Sequence, residues 1–352
     1  MSQGKYGLPG TTGGIVSSGE DDDDADGSDE DEEELVDEEK RLLEDIKITL
    51  EDIVIVASFK LPISIQRDPT SASGWKVRPS RSLLYPTMFK LREKKKMVKI
   101  TWIGWPGIVT QSEREQQEIT ELLKDYGCVP VFFDSETIEQ FLYFHETVLR
   151  PLFHNFKGLN DFEYDLGKQE YWHKYQQVNT KIAAVITELK QEKEMIWIHD
   201  NYLLLVPTYV RRRDLNANIG FFMHSPFPSS DIYKMFPYRG EVLKSLLLCD
   251  LIGFHLFEYA RNFYTACRRI LGLNHEFKKG GFLGIECFGR TVMLRISHIG
   301  IQEEDILEAM ETDMYKSFVK HLTTLTVKKR HILASIDRFH PISGLKNKLL
   351  AY

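Results

Sequence analysis

Polar side chains stand directly after three apolar segments that have the length and composition of buried β-strands. The segment MIWIH ends on His199 and is followed by Asp200. NIGFFM is followed by His224, and DLIGFH ends on His255. A carboxylate and imidazoles at one edge of a sheet can hydrogen-bond the hydroxyls of a sugar, bind a metal ion or cap helices. The residue types alone leave these three chemistries open.

The segment that follows NIGFFM is unusual because it reads HSPFPSSDIY. Its two prolines fix a turn, and a serine or aspartate after them can cap a helix. The phosphate loops G-x-x-x-x-G-K-[ST] and G-x-G-x-x-G are missing, as are the G-x-S-x-G and H-E-x-x-H motifs. A nucleotide held by either loop, a serine nucleophile of that kind and a zinc-protease helix are therefore not indicated.

An alternation of strands and helices must position these residues. Apolar runs of strand length lie at 52–58, 97–105, 128–133, 195–199, 218–223 and 250–255. Helical patterns lie at 113–126, 135–150, 171–189, 202–212, 236–249 and 256–271. Strands without polar alternation are buried on both faces, as in a parallel sheet. The pattern therefore predicts a doubly wound α/β domain that binds ligands at the carboxyl ends of its strands.

The remaining segments give a less regular pattern. Residues 66–96 are polar, basic and proline-containing, and we expect a long loop there. Residues 281–286 and 291–297 are typical of a strand pair, and 303–322 of helices. A further strand is predicted at 331–336 from the segment HILASI.

The net charge of −7 conceals two unlike parts of the chain. Residues 1–39 hold 15 acids and one base, a charge of −14, whereas the other 313 residues hold 44 bases and 37 acids, a charge of +7. Like charges at such density repel each other and resist burial, so we expect a disordered acidic tail at 1–39. A surplus of +7 is too small to indicate binding to nucleic acid.

Composition also excludes several classes of protein. No apolar run reaches the roughly 18 residues that a transmembrane helix needs, and the N-terminus carries no apolar signal segment. The four cysteines form no C-x-x-C pair, which favours reduced thiols over a disulfide framework or a zinc site. We therefore expect a cytoplasmic protein without a membrane-bound segment.

Several long motifs resemble those of the trehalose-6-phosphate synthases, glycosyltransferase family 20. They lie between about Ile53 and Tyr352 and occur in the family's order. They are TWIGWPG, VLRPLFH, IWIHDNYLLLVPTYVRRR, IGFFMHSPFPSSDIYKMFPYR, LLLCDLIGFHLFEYARNFYTACRRILGL, FGRTV and ILASIDRFHPISGLKNKLLAY. The wording is most similar to the long eukaryotic synthase-like proteins.

This resemblance implies a fold and a reaction. The fold would be the GT-B arrangement, in which two Rossmann-like domains face a cleft. The N-terminal domain would bind glucose 6-phosphate as the acceptor, and the C-terminal domain UDP-glucose as the donor. The reaction would be a glucosyl transfer with retention of configuration that needs no metal and no other cofactor.

The resemblance also implies roles for particular residues. Asp200 matches the aspartate of the family's His-Asp-Tyr-His-Leu motif, which holds acceptor hydroxyls. His224 matches a histidine that contacts the donor sugar, and Arg338 matches the arginine that grips the donor diphosphate. These three are the expected catalytic residues, and His224 and Arg338 also bind the donor. Trp105 and Gly107 keep a turn near the acceptor.

Other positions depart from the family pattern. Lys60 stands where the family has the arginine that binds the acceptor phosphate, so it keeps the charge but loses the bidentate fork. Ser343 stands at a donor-binding position where the family has a lysine. Losing one such charge-stabilising donor can cost about 100- to 1000-fold in rate. Further departures are Gln140-Phe141-Leu142 for Tyr-Tyr-Asn, Arg150 for Trp, Asn201-Tyr202 for Tyr-His and His340-Pro341 for Asp-Tyr.

We predict three parts of the chain and two possible functions. The parts are the acidic tail at 1–39, an acceptor-binding domain at 40–325 and the start of a truncated donor domain at 326–352. The first function is that of a trehalose-6-phosphate synthase-like protein, expected to be inactive as these 352 residues alone. The alternative is a catalytically degenerate subunit that binds sugar phosphate and associates with other trehalose synthase subunits.

Overall fold

A computed structural model describes the part of the chain that carries the predicted sheet. The described residues are 53–71, 74–80, 99–110, 112–155, 169–192, 194–273, 275–278, 282–287, 289–300, 303–326, 333–339 and 343–352. They all belong to one compact unit that begins at Ile48. The acidic tail predicted at 1–39 lies outside the described residues.

Eleven strands lie within these described ranges. They are β1 (Ile53–Lys60), β2 (Ile63–Arg67), β3 (Trp75–Pro79), β4 (Lys99–Trp105), β5 (Cys128–Pro130), β6 (Met195–His199), β7 (Asn218–Met223), β8 (Leu251–Phe254), β9 (His275–Lys278), β10 (Phe282–Cys287) and β11 (Arg290–Ile296). Nine of them form one sheet in the order β5-β4-β1-β6-β7-β8-β11-β10-β9. Neighbours from β5 to β11 run parallel, and β10 is antiparallel to both β11 and β9.

Helices connect these strands. They are α1 (Glu113–Lys124), α2 (Ser135–Phe144), α3 (Arg150–Phe153), α4 (Gln169–Leu189), α5 (Val206–Arg211), α6 (Ser230–Tyr233), α7 (Arg239–Leu246), α8 (Phe257–Leu271), α9 (Glu303–Glu311), α10 (Asp313–Thr326) and α11 (Leu345–Ala351). A π-helical turn, His145–Leu149, joins α2 to α3, and a 3₁₀ turn, Asn201–Leu203, follows β6. No helix in the described part of the chain is long and apolar enough to cross a bilayer.

The strand order confirms the predicted doubly wound fold. From β1 the chain moves outward through β4 and β5, and it then returns to place β6, β7 and β8 on the other side of β1. Both faces of β1 are covered, because Ile55 and Ala57 join one apolar cluster and Val54 and Val56 another. The strand order reverses between β1 and β6, which is where ligands bind in sheets of this kind.

The long loop predicted at 66–96 is wrong where it meets described residues. β2 and β3 pair as an antiparallel hairpin, with Ile65 opposite Val77. The hairpin buries Ile63, Ile65 and Trp75, so a few well-spaced apolar residues outweigh the polar composition of the segment. Residues 81–98 lie outside the described residues.

The strand predicted at 331–336 is also wrong in its described part. Residues 333–338 have no strand structure, and the side chains of Leu333 and Ile336 are almost fully exposed. A strand forms through backbone hydrogen bonds with a neighbouring strand, and no described strand pairs with this segment. The strand pair predicted at 281–286 and 291–297 is confirmed by the β10–β11 hairpin.

Candidate functional site

The carboxyl ends of four neighbouring strands bring predicted site residues to one edge of the sheet. Lys60 ends β1, Trp105 ends β4, Asp200 directly follows β6 and His224 directly follows β7. These strands are parallel and adjacent, so the residues share the edge where the strand order reverses. Gly107 lies in the turn after β4, with a φ of +84° that a side-chain-bearing residue rarely adopts.

Lys60 is positioned by an irregular end of β1. The register with β4 shifts between Ala57 and Lys60, and the Ser58 hydroxyl donates to the Lys60 carbonyl at 2.7 Å. The exposed Lys60 ammonium then lies 5.4 Å from the centre of the Trp105 ring, a cation–π distance. The Trp105 indole is in turn held by its N–H, which donates to the carbonyl of Ile108 at 3.0 Å. A cation therefore marks the β1 side of the edge.

Asp200 adopts a strained backbone conformation, with φ +66° and ψ 173°. Its N–H donates to the carbonyl of Phe222 at 2.8 Å, and its Oδ1 accepts from the N–H and the hydroxyl of Ser225 at 3.1 and 2.9 Å. Strain of this kind costs about 1–3 kcal/mol and persists only where the surroundings hold it. None of the hydrogen bonds among the described residues engages Oδ2, which is available to accept from a ligand.

Three histidines line the β6–β8 side of this edge. The Nδ1 of His199 lies 2.9 Å from the Nε2 of His224, and the rings of His224 and His255 are 5.4 Å apart. Burial lowers the pKa of His199 to about 3 and also lowers the pKa values of His224 and His255. The nearby charge of Asp200 opposes this effect at both His224 and His255. All three imidazoles are therefore neutral at pH 7 and act as hydrogen-bonding groups rather than cations.

An aromatic cluster packs where the ends of β1 and β6 lie side by side. The Phe59 ring stacks on Tyr202 at 4.9 Å and lies 4.6 Å from Phe141. On its other side Tyr202 stacks on His145 at 3.6 Å. Burial raises the pKa of the Tyr202 phenol, and the charges of Glu146 and Asp200 raise it further. Tyr202 therefore lies between the sheet edge that carries Asp200 and a second polar group, which contains His145 and Glu146.

That second group was missed by reasoning from the sequence. The Nε2 of His145 lies 2.9 Å from the Oδ1 of Asn201, and its Nδ1 lies 3.4 Å from Glu146. Glu146 also accepts from Arg150 at 2.6 Å. The i,i+4 spacing of Glu146 and Arg150 is visible in the sequence, but the contact of His145 with Asn201 spans 56 residues and is not.

The π-helical turn places His145 in this position. Proline inside a helix lacks an N–H and clashes with the carbonyl four residues before it. Pro151 is the second residue after the turn, and the Arg150 N–H donates to the carbonyl of His145, five residues before it. The widened turn accommodates Pro151, so the helix predicted to end near that residue continues to Phe153.

Glu146→Gln is expected to reduce the loss of folding stability that occurs when the pH is lowered. Hydrogen bonds from His145 and Arg150 lower the pKa of Glu146 from 4.5 to about 2. A depressed carboxyl pKa stabilises the fold above the unfolded value and ceases to do so as the pH falls from about 4.5 to 2. The side chain is 41% exposed, so the loss at pH 7 should be about 1 kcal/mol or less.

Urea midpoints at pH 7 and pH 3 measure this effect. The wild type should lose more stability between the two values than Glu146→Gln loses. Glu118→Gln, in an exposed i,i+4 pair with Arg114 on α1, is the matched control. Equal losses in the wild type and in Glu146→Gln would contradict the assignment.

The other two predicted site residues, Arg338 and Ser343, make no described contact with this edge. Arg338 is exposed and Ser343 is half-buried. Within the described part of the chain, no hydrogen bond, ion pair or ring contact connects either residue with Asp200 or His224. Their assignment to a donor site stays a prediction.

Two other features of the described surface bear on what the edge can hold. Clefts of about 580 and 380 Å³ lie elsewhere, the first beside the C-terminal end of α4 and the second between α4, α5 and α7. Neither is lined by a predicted site residue, so neither coincides with the candidate site. The described residues contain no group of three or more His, Cys, Asp or Glu side chains arranged for a metal ion.

Comparison with known proteins now identifies the class. The model of glycosyltransferase family 20 matches residues 52–352, and the chain belongs to that family. A Dictyostelium discoideum protein named alpha,alpha-trehalose-phosphate synthase [UDP-forming] A is 34% identical over 300 residues, which are 85% of this chain and 38% of that protein. The chain thus spans well under half the length of this relative.

Two solved structures share the fold. The N-terminal domain of Candida albicans trehalose-6-phosphate phosphatase has a TM-score of 0.63 and 27% identity, covering 80% of this chain and 55% of that chain. A Burkholderia xenovorans alpha,alpha-trehalose-phosphate synthase (UDP-forming) in complex with glucose-6-phosphate has a TM-score of 0.57 and 22% identity, covering 76% and 54%. These matches support the GT-B fold that the sequence motifs implied.

Proposed function

We propose that this chain binds glucose 6-phosphate and forms the acceptor side of a trehalose-6-phosphate synthase-like protein. The observation that carries the proposal is the convergence of Lys60, Trp105, Asp200 and His224 at one edge of a family 20 fold. The synthase from Burkholderia xenovorans, whose structure contains glucose-6-phosphate, supports the choice of ligand.

The polarity of the edge suits a sugar phosphate. Lys60 provides a positive charge on the β1 side, where a phosphate would bind. Asp200 provides a carboxylate oxygen that accepts hydrogen bonds from sugar hydroxyls. His224 provides a neutral imidazole beyond Asp200, on the side expected for the donor sugar. The phosphate of the acceptor would thus meet a cation, and its hydroxyls would meet the carboxylate of Asp200.

Transfer of a glucosyl group is proposed for the complete protein. Its donor would be UDP-glucose, in accord with the UDP-forming reaction in the name of the Dictyostelium relative. Arg338 would neutralise the leaving diphosphate. Ser343 would supply no positive charge at a position where the family has a lysine. The parts proposed are the acceptor domain at 40–325 and the beginning of the donor domain at 326–352.

Two assays on the 352-residue chain test this proposal together. Calorimetry with glucose 6-phosphate should detect binding, whereas UDP release from UDP-glucose plus glucose 6-phosphate should stay at background. Absence of binding would refute the acceptor role. Robust UDP release would refute the expectation that these 352 residues are inactive alone. In a longer protein, Ser343→Lys should raise the rate if diphosphate charge limits it.

The alternative of a degenerate, regulatory subunit has no specific support from the comparisons. Both functions include sugar-phosphate binding, so binding alone does not distinguish them. UDP release by the complete protein distinguishes them, because only the first function includes it. Association with other trehalose synthase subunits is a further part of the proposal. A cytoplasmic location is proposed as well, and the four buried cysteines, which form no disulfide, are compatible with it.

Two substitutions of Lys60 should change the affinity for glucose 6-phosphate in opposite directions. Lys60→Ala removes a charge-assisted hydrogen bond, worth about 1.5–3 kcal/mol, and should raise the Kd roughly 10- to 100-fold. Lys60→Arg offers a bidentate fork and should lower the Kd severalfold. Lys124→Ala, in an exposed pair with Glu121 on α1, is the calorimetric control and should have no effect. Unchanged affinity in Lys60→Ala would remove Lys60 from the site.

A further inference from the structure

His199 and His224 share a single hydrogen bond that must contain one proton. The Nδ1 of His199 and the Nε2 of His224 are 2.9 Å apart, with the rings nearly parallel at 21°. Two unprotonated nitrogens would repel each other at this distance, and two N–H groups would clash. Burial keeps His199 neutral, so that ring carries its one proton on either Nδ1 or Nε2.

The two possible arrangements present different groups to a ligand. If His199 donates from Nδ1, then His224 accepts at Nε2 and carries its own proton on Nδ1. If His224 donates from Nε2, its Nδ1 is a bare acceptor and His199 must carry its proton on Nε2. The contact with His199 therefore decides whether His224 offers a donor or an acceptor at the edge of the sheet.

One observation favours the arrangement in which His199 donates. The Nε2 of His199 is fully buried and has no hydrogen-bond partner among the described residues. This nitrogen is therefore unpaired in both arrangements, either as an N–H or as a lone pair. Unpaired N–H groups are rarer in folded proteins than unpaired acceptors. His199 is therefore expected to leave Nε2 unprotonated and to carry its proton on Nδ1.

We propose that His199 is a positioning residue that holds His224 as the Nδ1–H tautomer, so that His224 donates a hydrogen bond to an oxygen of the sugar ligand. The identity of the ligand rests on the proposed function, but the tautomer does not. Asp200 and His224 then have complementary roles, since one accepts from a hydroxyl and the other donates to one. His199 itself contacts no ligand in this arrangement, because it is only 3% exposed.

The tautomer can be read from ¹H–¹⁵N spectra of the ligand-free, histidine-labelled chain, with His224 assigned by loss of its signals in His224→Gln. We expect a protonated Nδ1 and an unprotonated Nε2. His199→Asn, whose amide can donate from near the Nδ1 position, should retain this pattern. His199→Phe keeps a ring without nitrogens, and His224 should then lose its preference.

Each outcome decides the proposal. A protonated Nε2 on His224 in the wild type would overturn it. A retained Nδ1–H form in His199→Phe would remove His199 as its cause, and the wild-type spectrum still decides the tautomer if that variant fails to fold. The expected tautomer combined with no binding of glucose 6-phosphate would refute the proposed function and leave this inference standing.

Discussion

Asp200→Asn is expected to raise the Kd for glucose 6-phosphate by about 10- to 100-fold. The substitution keeps the shape of the side chain and an oxygen that can accept from Ser225. It removes the negative charge that strengthens hydrogen bonds from sugar hydroxyls, and such charge-assisted bonds contribute about 1.5–3 kcal/mol. Asparagine has the same side-chain branching as aspartate, so the backbone at φ +66° should be retained.

A matched control separates this effect from a change in net charge. Asp214→Asn removes the same charge at the opposite end of the sheet, in the loop before β7, where Asp214 pairs with Lys190 at 2.8 Å. Calorimetry should give the wild-type Kd for Asp214→Asn. Equal affinities for the wild type and Asp200→Asn would show that the carboxylate does not contact the acceptor.

Gly104→Ala is expected to destabilise the fold by about 3 kcal/mol or more. A Cβ atom on Gly104 would lie 2.2 Å from the carbonyl oxygen of Ser58, on the backbone of the neighbouring strand. Backbone in a central strand cannot move aside as a flexible side chain can, so β1 and β4 would have to separate. This contact lies beside the irregular end of β1, so the position of Lys60 should change as well.

Gly240→Ala is the matched control for Gly104→Ala. Gly240 lies in the first turn of α7, and a Cβ atom there would meet no atom within 4 Å. Alanine stabilises helix positions by roughly 0.5–1 kcal/mol relative to glycine. Urea unfolding should therefore give a large loss for one variant and a neutral or slightly positive change for the other. A small loss for Gly104→Ala would contradict the close approach of β1 and β4.

The central sheet could be predicted from the sequence because its strands are apolar throughout. β6, β7 and β8 are short runs without polar alternation, and this pattern has few competing interpretations. The β2–β3 hairpin was missed since it buries only a few residues amid polar ones. The strand at 331–336 was wrong because composition shows whether a segment suits a strand but not whether a neighbour is present to pair with it.

The candidate site was predictable to the extent that it follows from strand topology. Asp200 and His224 lie together because the carboxyl ends of adjacent parallel strands share an edge. The contact of His145 with Tyr202 depends instead on a π-helical turn, which has no clear signature in the sequence. The link between His199 and His224 depends on side-chain rotation, which strand positions alone do not specify.

Titration of the ¹⁵N-labelled chain with glucose 6-phosphate, followed by backbone and histidine NMR signals, tests the central claim most directly. We expect saturable shifts at Lys60, Gly107, Asp200 and His224, while Ala184 and Gln191 in the cleft at the end of α4 stay unchanged. Glucose and inorganic phosphate, added separately, should shift parts of the same set at higher concentrations. Shifts confined to the α4 cleft, or no saturable shifts at the carboxyl edge of the sheet, would contradict the account.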